Sequence, residues 1–199
     1  VETNKIASVS RILVSLGLTQ AMFILAPVLV LTFQHKKDNI LKKLGFLNWE
    51  FRYTREVINW EMVIIVPILI ISYILYILFN KLGIKTSSNS LELLRQSGIV
   101  GKIIIVFFAI IVAPIIEEIT FRRILFVFVR KYIGDFHSVI IVSFVFALMH
   151  GSVLQIIPLC ILSLVLFHLY LKNNSIFPAI LLHSMNNLIM VVIYFSIKY

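Results

Sequence analysis

The sequence predicts an all-α, polytopic transmembrane helical bundle with about six spans, and three observations lead there. Hydrophobic residues make up 60% of the 199, charged residues only 14%, and the mean hydropathy is +1.03. Soluble domains carry roughly a quarter of charged residues. The apolar runs approach the ~20 residues that cross a hydrocarbon layer about 30 Å thick. The basic residues behind the net charge of +9 lie between those runs rather than along one patterned face. That distribution reads as charge flanking membrane spans, so no nucleic-acid partner is expected. The single Cys160, inside an apolar run, excludes a disulfide framework or a cysteine metal site within one chain.

Taken in order, the expected spans are Ile12–Phe33, Met62–Phe79, Ile103–Val129, Ser138–Met149, Val153–Leu171 and Ile176–Ile197. The chain opens on Val1 rather than Met, and Ile12–Phe33 is long enough to span rather than serve as the core of a signal peptide. Only the fourth span is short; it either continues past His150 and Gly151 or stops partway across beside polar company. Two connections are long enough to carry structure. Residues 34–61 interleave basic with aromatic and aliphatic side chains, as suits a helix lying among lipid headgroups, or they form an ordinary solvated loop. Residues 86–98 read as a polar linker and a short amphipathic helix ending at Gly98. Alternating the six spans places nine Lys/Arg beside the 34–61, 130–137 and 172–175 connections, against seven on the other side. The positive-inside rule then makes those three connections cytoplasmic. An integral, multi-pass location follows, in the plasma membrane if the source is bacterial.

The third span carries the feature that asks for a function. Glu117 and Glu118 follow the uncharged run Ile103–Ile116 and precede Arg122 and Arg123. Charge inside a bilayer is costly, and such residues are functional candidates by default. Glu118 and Arg122 are four apart on one helical face, acid first, the favourable order for an ion pair. Glu117 points about 100° away and lacks that partner. A carboxylate among apolar groups without a dedicated cation takes up a proton more readily than one in water, which suits a general base. The plainer reading has both acids merely neutralising the two arginines near the interface.

Other polar residues in the spans weigh against the plainer reading. His150 lies one turn after Phe146, and His183 and Asn187 share a face four residues apart. A lone histidine on an apolar face is usually a satisfied core residue, and His137, at a turn, and His168, alone in its span, read that way. Two histidines, an asparagine and two glutamates on three spans are harder to dismiss.

In that order, Glu117-Glu118-x-x-x-Arg122, Phe146-x-x-x-His150 and His183-x-x-x-Asn187 resemble the three-motif signature of the CPBP (Abi) family. That family includes type II CAAX prenyl endopeptidases, bacteriocin-processing and self-immunity proteins, and related intramembrane proteases. The resemblance divides the chain into N-terminal transmembrane and interfacial helices, residues 1–99, and a catalytic helical core, residues 100–197. It implies a peptidase in which Glu117 and His150 activate a water, His183 and Asn187 stabilise the oxyanion, and Glu118 and Arg122 support them. The implied substrate is a prenylated C-terminus or a leader, bacteriocin or pheromone peptide. No cofactor is favoured. A divalent metal, zinc on Glu117, His150 and His183, is the alternative. A catalytically silent scaffold or immunity protein that binds a partner membrane protein is the second class of function, and a transporter or proton relay the third.

Overall fold

The computed structural model describes residues 50–84 and 94–198. The first expected span, Ile12–Phe33, and most of the 34–61 connection lie outside them, as does most of the 86–98 linker. Among the described residues the fold is helical throughout. Helix α1 is Arg52–Lys81, α2 Ile99–Phe107, α3 Ala113–Glu118, α4 Phe126–Met149, α5 Ile156–Asn173 and α6 Phe177–Lys198. Two π-helical turns, Phe108–Val112 and Ile119–Leu125, join α2, α3 and α4 into one run, and a 3-10 turn, Val153–Gln155, precedes α5. Among the described residues four stretches are long and apolar enough to cross a membrane: Arg52–Lys81, Ile99–Met149, Val153–Asn173 and Phe177–Ser196.

The second of these is two traverses, because 51 residues of straight helix would be about 77 Å long. Gly134 breaks it with φ 75° and ψ 172°, backbone that only glycine adopts at little cost. Phe121 and Phe146, about 37 Å apart along a straight helix, have ring centroids 5.1 Å apart, so the chain doubles back. Arg130 and Asp135 pair across the break at 2.9 Å, and Ser138 Oγ donates to the Gly134 carbonyl. The returning limb is short, as its sequence predicts. It stops at Met149, and Gly151 turns the chain with φ 67°. His150 therefore stands at a helix end inside the bundle.

Helix α1 begins ten residues earlier than the expected Met62, which corrects the reading of residues 52–61 as loop or headgroup helix. Tyr53, Val57, Glu61, Ile64 and Ile68 form one buried stripe at helical spacing, while Met62, Val63 and Val66 face outward. The two acids in this stretch have partners far along the chain. Glu56 accepts from Lys172 Nζ at 2.7 Å and Asn173 Nδ2 at 3.1 Å, and Glu61 accepts from Asn186 Nδ2 at 3.1 Å. Residues 94–96 form the described part of the expected amphipathic helix, and Gly98 stands at the start of α2. Helix α6 packs against α1, α5 and the α2–α3 run, with the returning limb of α4 along α5. The core between them is aliphatic and aromatic, and exposed aliphatic and aromatic side chains cover much of the outer faces, a surface that lipid solvates.

Candidate active site

Glu118 and Arg122 are fully buried, and Arg122 Nη1 donates to Glu118 Oε1 at 3.1 Å. A buried guanidinium needs more than one partner, and this one has several. Nη2 donates to Ser163 Oγ at 2.8 Å, while the plane sits 4.8 Å from the ring centres of both Phe146 and Phe167. Glu118 Oε1 also accepts from His183 Nδ1 at 3.0 Å. Helices α3, α5 and α6 and the π-turn are thereby tied together through one ion pair.

Glu117 faces the other way, as the 100° step predicts. Its Oε2 lies 3.7 Å from His150 Nε2 and 3.8 Å from His183 Nε2, and is buried without a hydrogen-bond partner. His150 Nδ1 lies 2.8 Å from the Phe146 carbonyl oxygen. A carbonyl, and a carboxylate already paired with arginine, can only accept, so both rings carry a proton on Nδ1. In their neutral forms both then present an Nε2 lone pair toward Glu117. Three acceptors stand around one point at separations too wide for direct hydrogen bonds, so a donor placed beside them, such as a water, can bond to more than one.

Phe146 explains its place in the second motif. It has no exposure and touches Phe121, His150 at 4.7 Å and His183 at 5.7 Å, besides Arg122. One ring thus sets the position of both imidazoles.

Asn187 lies one turn beyond His183, and its Nδ2 donates to the Ala109 carbonyl at 2.8 Å. His137 lies beside the Ile133 carbonyl and His168 packs on Trp60, so neither joins the cluster. Sequence reasoning missed the buried pair Glu61–Asn186, one turn from His183, and Arg122's partner Ser163. Glu61 had left a signal: it sits four residues after Val57 and three before Ile64, inside an apolar stripe.

Two membrane-buried glutamates, two histidines and an asparagine, carried on three successive motifs, are now seen on helices packed around one gap. Comparison with family models matches this same stretch. Residues 99–189 match the model of the type II CAAX prenyl endopeptidase Rce1-like family. No curated protein and no solved structure matches the chain. The Rce1-like segment covers a little under half of the sequence and omits α1. The apolar stretches among the described residues mark the protein as an integral, multi-pass membrane protein, and residues 99–189 are similar to a membrane protease family.

The Rce1-like residues also supply the donor types of a zinc site, one carboxylate and two imidazoles whose Nδ1 atoms are held from behind. Donors around a tetrahedral zinc at ~2.0–2.2 Å stand about 3.3–3.5 Å apart. The separations from Glu117 are 3.7 and 3.8 Å, and among the described residues no three His, Cys, Asp or Glu side chains are arranged to hold a metal ion. The donor types are those of a zinc site, and the separations from Glu117 are a few tenths of an ångström wider than tetrahedral ligands show.

Proposed function

We propose that the protein is an intramembrane endopeptidase that cleaves a membrane-associated peptide, a prenylated CAAX-type C-terminus or a leader peptide, with a water activated by Glu117 and His150. One observation carries the reading: a buried carboxylate oxygen without a hydrogen-bond partner faces two imidazole nitrogens at 3.7 and 3.8 Å, close enough for one water beside them to bond to the acid and an imidazole together. A water there donates one hydrogen toward Glu117 Oε2 and the other toward His150 Nε2, leaving a lone pair for the substrate carbonyl. As the water oxygen bonds to the carbonyl carbon, Glu117 takes the proton. The carbonyl electron pair moves to its oxygen, which faces His183 Nε2–H and the second N–H of Asn187. When the tetrahedral carbon collapses, the C–N bond breaks and the proton on Glu117 passes to the departing amine.

His183 donates from Nε2 only as an imidazolium, since Nδ1–H is already given to Glu118. That state balances charge: two carboxylates, one guanidinium and one imidazolium sum to zero, the favourable total in a low-dielectric site. Glu118 and Arg122 act from behind, fixing His183 rather than touching the substrate.

The test is cleavage of quenched-fluorescence peptides, one farnesylated with a CAAX-type tail and one leader-like, in detergent or vesicles. Wild type is expected to cleave at least one, and Glu117→Gln to be about 10²-fold slower or worse while melting near the wild-type temperature. Activity should survive strong chelation followed by dialysis. Loss on chelation with recovery on added Zn²⁺ would overturn the metal-free mechanism and make Glu117, His150 and His183 ligands.

A further inference from the structure

The contact between Asn187 and Ala109 has an origin in the backbone. In an α-helix the Ala109 carbonyl would accept from the N–H of Ala113. In the π-turn Phe108–Val112, Ala113 N–H instead bonds to Phe108 O, five residues back. The same five-residue pattern would send the next N–H, that of residue 114, to Ala109. Residue 114 is a buried proline and has no N–H. The Ala109 carbonyl is therefore left without a backbone donor at either spacing, in surroundings where an unpaired carbonyl is costly. It takes the side-chain amide of Asn187, 78 residues later, at 2.8 Å.

We infer that Pro114 is a positioning residue: by withholding an N–H it frees the Ala109 carbonyl to grip one hydrogen of the Asn187 amide and hold the other toward the site. An asparagine amide has two N–H groups, and anchoring one fixes the plane and direction of the second. The inference rests on the peptidase reading for what the second N–H meets, an oxyanion. The grip itself does not depend on that reading. It also accounts for a proline three residues before Glu117: the residue that opens the Ala109 carbonyl stands in the same short helix as the base.

The decisive variant is Pro114→Ala, which restores the N–H without adding bulk. Alanine is the better helix former, so the melting temperature should hold or rise. With Ala109 taken by the backbone, Asn187 loses its anchor, and kcat should fall about tenfold with KM unchanged. Pro67→Ala, on an outward face of α1, removes a helix proline away from the site and should leave kcat unchanged. A melting cycle reads the grip without any substrate. Asn187→Ala should lower the melting temperature in the wild-type background and lower it clearly less in the Pro114→Ala background. Additive shifts, or a Pro114→Ala enzyme with full kcat, would overturn the inference. Should wild type cleave neither peptide, the peptidase reading fails, while the melting cycle still decides whether Pro114 governs the Asn187 anchor.

Discussion

Two adjacent carboxylates, Glu118 and Glu117, live in opposite surroundings. Around Glu118 lie an arginine, that arginine's serine and two flanking rings, and the Nδ1–H of His183. Around Glu117 Oε2 no donor stands within hydrogen-bonding distance, only two imidazole nitrogens beyond it. One helical step of about 100° separates a carboxylate whose Oε1 holds two charged or polar donors, its Oε2 left buried and unpaired, from one whose buried Oε2 meets no donor at all. The first arrangement favours a single rigid geometry. The second leaves capacity to bind and move a proton, as a general base must. The membrane sharpens the contrast, because no bulk water is at hand to complete what the protein leaves open.

The largest expected effect comes from breaking the ion-paired side. Glu118→Gln strands Arg122 between two aromatic rings, and removing one partner of a buried pair costs about 3–5 kcal/mol. Lower yield and melting temperature should accompany lost activity. Adding Arg122→Met removes the unpaired charge and should restore part of the stability but not the activity; thermal melting in detergent reads both. If Glu117→Gln proves the less stable protein and Glu118→Gln the stable but inactive one, the two roles are reversed. Phe146→Leu tests the ring shared by both sides. It removes the face stacked on Arg122 and the packing against both histidines, at about 1–3 kcal/mol. Activity should fall more than tenfold, because an Nε2 displaced by 1 Å no longer meets the water. A loss in stability alone would show that the histidines hold their places without it. The smallest effect is expected at Glu61. Glu61→Gln still accepts from Asn186, so melting should move by less than about 0.5 kcal/mol and activity should persist. If it were as inactive as Glu117→Gln, a third acid would belong to the site.

Much of this was legible in the chain, for reasons particular residues make clear. The i,i+4 spacing of Glu118 and Arg122 specifies their pairing, because helix geometry alone brings them together. Apolar runs located the spans that fall in the described residues, the start of the first of these excepted, and Gly151 explains why the fourth expected span is short. Residues 52–61 misled because Arg52 and Arg55 look like the basic charges of a connection, and the two acids beside them are held from far along the chain. The partners of the two acids, Lys172, Asn173 and Asn186, lie more than a hundred residues away. The π-turns were hidden as well. Nothing in local propensity marks a five-residue hydrogen bond, and only the missing N–H of Pro114 hints at where one would matter.

The reversal at Gly134 also fixes an order of events as the chain is made. Glu118 and Arg122 can meet within their own helix as soon as it forms, so this stretch can enter the lipid already charge-balanced. Phe146 and His150 follow on the second limb of the same hairpin, Ser163 comes with α5, and His183 enters with the last helix. A nascent chain therefore holds its ion pair long before its ring of acceptors. Until α6 arrives, Glu117 has at most one of its two imidazole neighbours, and a truncated product would be inserted yet inert toward the peptides around it.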